Sequence, residues 1–245
     1  TDRAKALYSP TLNLPQHKQR PSRRAFMSAA VAASVAAFFI PAESGEASTR
    51  YSTQKNILHC ENSKQHRIVL DCYTQLEDKS EQTSLLMGQC FITDRHRYVK
   101  TQNLRFVLDG SLLLTKSSSY ENAVVVDGTA IMHGHRLNEH KHFSVGAQVT
   151  VTPQGRLHFS TVDQDNLARL TAWTQGQVSL ATETLSEATD IFNRYNQKQL
   201  VPSFRLADMR LSGLFDLNRP DVFAQAVKAI LGAHIKEDAG HIFLE

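Results

Sequence analysis

Thr184-Leu185-Ser186-Glu187 is the strongest local constraint on the fold: a hydroxyl followed three residues later by a carboxylate closes a capping box and starts a helix. Leu185, Ala188, Ile191, Phe192 and Tyr195 recur at helical spacing, which predicts an amphipathic helix with one face against a sheet, ending at Asn196 or Lys198. Trp173, Gly176 and Gln177 to Leu180 lead into it as a strand, and Leu200 to Leu206 and Arg210 to Phe215 return as strands. The plan then repeats. Asn218-Arg219-Pro220-Asp221 offers a cap, an early proline and an acid near the positive helix end. Val222, Phe223, Ala226, Val227, Ile230 and Leu231 carry the apolar stripe, and Gly232 stops it. Strands around His234 to Lys236 and His241 to Leu244, joined by Glu237-Asp238-Ala239-Gly240, complete a small α/β domain of two strand-helix-strand units over residues 173–245.

Residues 51–171 read as mainly β, a meander or rolled sheet. Arg67-Ile68-Val69-Leu70, Leu85-Leu86-Met87, Phe106-Val107-Leu108, Leu112-Leu113-Leu114, Val124-Val125-Val126 and Val149-Thr150-Val151 are short runs without helical length. Asp109-Gly110, Asp127-Gly128 and Pro153-Gln154-Gly155 lie between them and readily take the positive φ of tight turns.

Residues 1–22 are polar, with Pro10 and Pro15, and read as a tail or linker; because Thr1 is not a methionine, the chain is expected to be a fragment of a longer one. Residues 23–41 begin Arg23-Arg24-Ala25-Phe26 and continue as an uncharged, Ala-rich run to Ile40, closed by Pro41. Paired arginines before such a run, with Phe26 beside them, are similar to a twin-arginine export signal. Lys18, Arg20, Arg23 and Arg24 precede the run and acids follow it, which predicts one N-terminal transmembrane helix with its N-terminus in the cytoplasm and the rest of the chain in the periplasm. Sixteen residues at about 1.5 Å each reach roughly 24 Å, short of a ~30 Å hydrocarbon core. Small residues at Ala42-Glu43-Ser44 and Gly45-Glu46-Ala47 therefore leave a cleaved signal as the other outcome.

The 245 residues, 41% hydrophobic and 21% charged, suffice for one or two domains with a buried core. The net charge of +3 is concentrated in residues 1–50, leaving the body near neutral, so no nucleic-acid partner is expected. Cys60, Cys72 and Cys90 have no metal or redox spacing; a Cys60–Cys72 bridge and three unpaired thiols are both compatible with them. No nucleophile elbow, paired-carboxylate arrangement or phosphate-cradling glycine pattern occurs, so neither an enzyme nor a cofactor is expected. His133-Gly134-His135 and His140-Lys141-His142 are the alternative site. On a hairpin, His133, His135, His140 and His142 can face one metal ion, of the zinc, copper or nickel kind, in an exported binding or structural protein.

Trp173-x-x-Gly176, Leu185-x-Glu187, Asn193-Arg194-Tyr195-Asn196 and Leu211-Ser212-Gly213-Leu214-Phe215 together resemble the C-terminal signature of the FecR family of transmembrane sigma factor regulators, and the last part is similar to the secretin and TonB N-terminal domain. The resemblance continues more weakly upstream, through Val145-Gly146-Ala147-Gln148, Asp127-Gly128 and Asp109-Gly110, to about Tyr51, where several of the family's glycines and acids are replaced. It implies a retained single-pass inner-membrane anchor. It also implies a periplasmic signal from the signalling domain of a TonB-dependent outer-membrane receptor, of the siderophore or iron uptake type, and control of an extracytoplasmic-function sigma factor. The family's helical sigma-binding domain is absent from residues 1–22 and is expected upstream of Thr1. Aromatic spacing places Tyr195 and Phe215 in a core, and Arg194, between two core aromatics, can cover the helix face and reach a strand or a partner. Arg194, Tyr195 and Phe215 are accordingly the candidate partner-binding residues.

Overall fold

The computed structural model describes residues 48–63, 66–134 and 140–245, with 58–63 by backbone alone, and all of them belong to one compact unit. The tail 1–22, the export-like segment 23–41 with Arg23, Arg24 and Phe26, His135 and the Cys60 side chain lie outside the described residues. No helix among the described residues is long and apolar enough to cross a membrane.

Ten antiparallel strands form the first half: β1 (Thr49–Ser52), β2 (Leu58–Ser63), β3 (His66–Leu70), β4 (Gln75–Asp78), β5 (Gln82–Lys100), β6 (Arg105–Lys116), β7 (Glu121–His133), β8 (His140–Ser144), β9 (Ala147–Val151) and β10 (Leu157–Thr161). They share one sheet in the order β1-β4-β5-β6-β7-β9-β10, with β3 added to β5, β2 to β3 and β8 to β7. Two short strands succeed one another along each long one: β4 then β3 on β5, and β9 then β8 on β7. Ile68, Leu70, Ile92, Leu108, Leu112 and Val125 belong to one buried cluster to which no helix contributes, so the sheet rolls over to cover its own inner face.

Asp109-Gly110 and Asp127-Gly128 are not the turns their composition suggests. Both lie inside long strands, and Gly110 faces Gly128 across the β6–β7 ladder. A Cβ on Gly128 would sit 2.2 Å from the Asp109 carbonyl oxygen, and one on Gly110 2.2 Å from that of Asp127. Only glycine permits so close an approach together with the φ of +69° at Gly128. The neighbouring β5 is bulged at the same level, between Arg95 and Arg97, with His96 at φ +57°. This line of irregular residues across three strands bends the sheet, as bulges and strand glycines do. Pro153-Gln154-Gly155, by contrast, does reverse the chain between β9 and β10.

The second half comprises α1 (Gln164–Thr171), a 3₁₀ turn (Ala172–Gln175), β11 (Gln177–Leu180), α2 (Leu185–Tyr195), β12 (Gln199–Pro202), α3 (Phe204–Ala207), β13 (Gly213–Asp216), α4 (Pro220–Leu231), β14 (Ile235–Glu237) and β15 (His241–Leu244). The capping box forms: Glu187 N donates to Thr184 Oγ1 at 3.2 Å and Thr184 N to Glu187 Oε2 at 2.8 Å. Helix α4 starts on Pro220 and ends at Gly232 in the left-handed conformation. β11 pairs with β13, and β15 lies between β12 and β14, parallel to the former. The helices meet between the two small sheets, where Phe192 stacks on Phe223 at 4.3 Å and the Phe215 ring edge meets Phe223 at 5.1 Å.

Three sequence readings are corrected here. Helix α1 occupies a stretch read as β, because Asp163 caps it by accepting from Asn166 N at 2.8 Å. The strand expected through Leu206 ends at Pro202; Ser203 then begins a helical turn that buries Leu206. The strand expected from Arg210 begins at Gly213, Arg210 making only an isolated bridge with Thr184.

A buried polar cluster ties β3, β4 and β5 together. Arg97 donates to Asp78 Oδ1 at 2.5 Å and Thr83 Oγ1 at 2.7 Å, and His66 lies 2.6 Å from Asp94 and 3.4 Å from Asp78. The hydrogen bond to Asp78 raises the His66 pKa above its ordinary 6.5, against the opposing effects of burial and Arg97, and Asp94 raises it further. A raised histidine pKa stabilises the fold below the unfolded value and loses that contribution as pH rises through the folded value. Urea unfolding is therefore expected to show stability falling as pH is raised above about 6.5, with His66→Gln flattening that slope. In the same assay Gly128→Ala is expected to cost roughly 1–3 kcal/mol from backbone strain, plus the carbonyl clash. Gly155→Ala, at φ +75° but in open space, is expected to cost about 1 kcal/mol.

Candidate functional site

The outer face of the first sheet is apolar as well. Val69, Leu113 and Val124 join Leu167 of α1, Trp173, Tyr195 of α2 and Leu217 in a second buried cluster, which joins the two halves. Within this apolar contact sits one carboxylate, Asp71, just beyond β3 and 1% exposed. Its Oδ1 accepts from Tyr195 Oη at 2.6 Å and Cys72 N at 2.8 Å, and its Oδ2 from Arg194 Nη2 at 3.1 Å. Burial, then the Asp71 charge, pushes the Tyr195 phenol far above its usual range, so it remains a donor at any physiological pH. The same two causes push the Cys72 thiol up to about 11.

A second polar link supports the first. Lys55 Nζ, from the first half, donates to the carbonyls of Asn193 at 3.2 Å and Asn196 at 2.9 Å. It places a cation at the negative end of α2, where the last carbonyls lack helical partners. Asn196 Nδ2 donates to Phe192 O at 2.9 Å and Leu217 O at 2.7 Å, which fixes the loop entering α4 to the end of α2.

Beside this junction opens a cleft of about 280 Å³. Asp71 and Gln89 of the first half line it, together with α1, β11 and α2 of the second. Its floor is apolar, formed by Leu170, Trp173, Val178, Ile191 and Leu217. Arg169, donating to Glu183 Oε1 at 2.7 Å, and half-exposed Arg194 stand at its polar wall.

Arg194 and Tyr195 thus come together, on Asp71 and at the cleft, whereas Phe215 packs into the separate core of the second half. Sequence reasoning missed Asp71, Lys55, Arg169 and Glu183. Asp71 stands 124 positions from Tyr195, and no local spacing could have paired them.

The histidine alternative is assembled only in part. His133 pairs with His140 across the β7–β8 hairpin, their rings 4.6 Å apart at 77°, while His142 lies opposite Ile131. Among the described residues no group of three or more His, Cys, Asp or Glu side chains is set to hold a metal ion. Cys72 and Cys90 are free buried thiols, while the Cys60 side chain lies outside the described residues.

The fold has solved counterparts. Two crystal structures of a candidate anti-sigma factor from Parabacteroides distasonis ATCC 8503, at 1.65 and 2.50 Å resolution, each superpose with a TM-score of 0.56 over 80% of this chain and 98% of theirs. At 15% sequence identity this likeness establishes a common fold. No family model and no curated protein matches the sequence.

Replacing Tyr195 by Phe leaves a buried carboxylate short of one donor. It is expected to lower the unfolding free energy by about 1–3 kcal/mol. Asp71→Asn with Tyr195→Phe should cost less than the sum of the single changes in a double-mutant cycle read by urea denaturation.

Proposed function

We propose that this chain is the signal-receiving part of an anti-sigma regulator and has no catalytic role. In this reading a single span over residues 23–41 holds it in the inner membrane, with the N-terminus in the cytoplasm and the two folded halves in the periplasm. There it receives the signalling domain of a TonB-dependent outer-membrane receptor of the siderophore or iron uptake type, and controls an extracytoplasmic-function sigma factor. The observation that carries the anti-sigma reading is the fold likeness, which runs along 98% of the crystallised Parabacteroides chain. The TonB-dependent partner rests on the FecR-like pattern from Trp173 to Phe215, and the membrane placement on Arg23, Arg24, Phe26 and the uncharged run that follows.

The test is made in the native host. With a C-terminal tag at the chromosomal locus, the protein is expected in the membrane fraction, the tag accessible to protease in spheroplasts. Deleting the gene is expected to change transcription from the promoters of one extracytoplasmic-function sigma factor several-fold. A tag found in the soluble periplasm, or sigma-dependent transcription that ignores the deletion, would overturn the proposal.

A further inference from the structure

β11 has one used edge and one unused edge. Leu217 N donates to Gly176 O at 2.8 Å, which fixes the phase of the β11–β13 ladder. In an antiparallel pair hydrogen-bonded positions alternate. Gly176, Val178 and Leu180 therefore turn their backbone groups toward β13, while the N–H and C=O of Gln177 and Ser179 point the other way. Among the described residues no strand pairs with that side, and no side chain donates to or accepts from these four groups. Gln177 and Ser179 both line the 280 Å³ cleft, together with Asn166, Arg169 and Leu170 of α1.

Besides these backbone groups, two donors of the cleft's lining residues lack a partner. Arg169 Nε and Trp173 Nε1 are buried with no acceptor, an unusual state for such groups. The carboxylates are already occupied. Both Asp71 oxygens are taken by the junction, and Glu183 accepts from Arg169 on one oxygen and from Ala181 N and Thr182 N on the other. An occupant suited to these groups brings a carboxylate to half-exposed Arg194, which spends one donor on Asp71, an aliphatic group to the Leu170–Trp173–Leu217 floor, and a backbone to the β11 edge. A small anion meets only the first of these demands.

We infer that the β11 edge takes an extended, acidic segment of the partner protein as a third strand, seated in the cleft with an aliphatic side chain on its floor. The inference rests on the reading above that the partner is a receptor signalling domain, and it names the surface that domain uses. Main-chain pairing supplies affinity in such strand addition, and the flanking pockets supply choice of sequence. Residues of both halves line the cleft, so the added strand bridges them beside the Asp71–Arg194 pair.

Amide hydrogen exchange of the chain tests this, with the purified signalling domain of its cognate TonB-dependent receptor at saturating concentration. The Gln177 and Ser179 amides are expected to slow by roughly tenfold or more, with those of the edge strand β14 unchanged. Ser179→Pro removes an outward N–H that no group among the described residues uses, so it is expected to leave the melting temperature nearly unchanged while weakening the complex roughly tenfold. A complex that protects β14 or another surface instead, or that forms equally well with Ser179→Pro, overturns the edge inference and leaves the signalling reading standing. A signalling domain that does not bind at all overturns both.

Discussion

The structure depends on a sheet that is apolar on both faces. Along β3, β6 and β7 the runs Ile68-Val69-Leu70, Leu112-Leu113-Leu114 and Ala123-Val124-Val125 alternate between two environments: the flanking residues point into the rolled interior and the middle ones outward. A roll can cover only its inside. Left in water, Val69, Leu113 and Val124 would each forgo roughly 1.5–3 kcal/mol of burial. The second half supplies the missing cover with Leu167, Trp173, Tyr195 and Leu217, and so the two halves form one body.

Apolar contact of this kind is strong but non-directional, and it does not by itself fix how one half is rotated on the other. Asp71 does. A carboxylate buried to 1% exposure has to be hydrogen-bonded, and Tyr195, Arg194 and its neighbour's amide satisfy it from fixed directions. Displacing α2 would strand this charge and also withdraw the α2 carbonyls from Lys55. Geometry and strength are thus supplied by different groups, the polar ones selecting among orientations that the apolar surface alone would tolerate.

What was legible in the sequence follows the range of the interactions concerned. The capping box at Thr184 and Glu187, the stripe of α2 and the Pro220 and Gly232 bounds of α4 are set within a few residues, and each is where the chain's own chemistry puts it. Asp109-Gly110 and Asp127-Gly128 show the limit. Their conformational demand was readable, but whether positive φ reverses a chain or kinks a strand depends on which backbone lies opposite, and each turned out to face the other. Helix α1 carried a visible cap in Asp163 and lost only to the β-rich context around it. Half of the site was visible as Arg194 beside Tyr195. The other half, Asp71, was not, because a lone aspartate in a β-rich stretch carries no mark of a partner more than a hundred residues away.

A rigid junction also restricts how such a body can report that something has bound. If the halves were joined by a loose linker, a ligand on the second could reorient it freely and the first would feel little. Here the free β11 edge, the cleft and the Asp71 set share walls, so a strand added at that edge meets Arg194, which already holds Asp71. A partner carboxylate that drew on Arg194 would weaken its hold on Asp71, and the cost would fall on the buried acid rather than on the solvent-facing guanidinium. Such an occupant of the second half would thereby be coupled, through one half-exposed cation, to the outer face of the first. The coupling can be no larger than the difference in how tightly the occupant binds the locked and loosened arrangements.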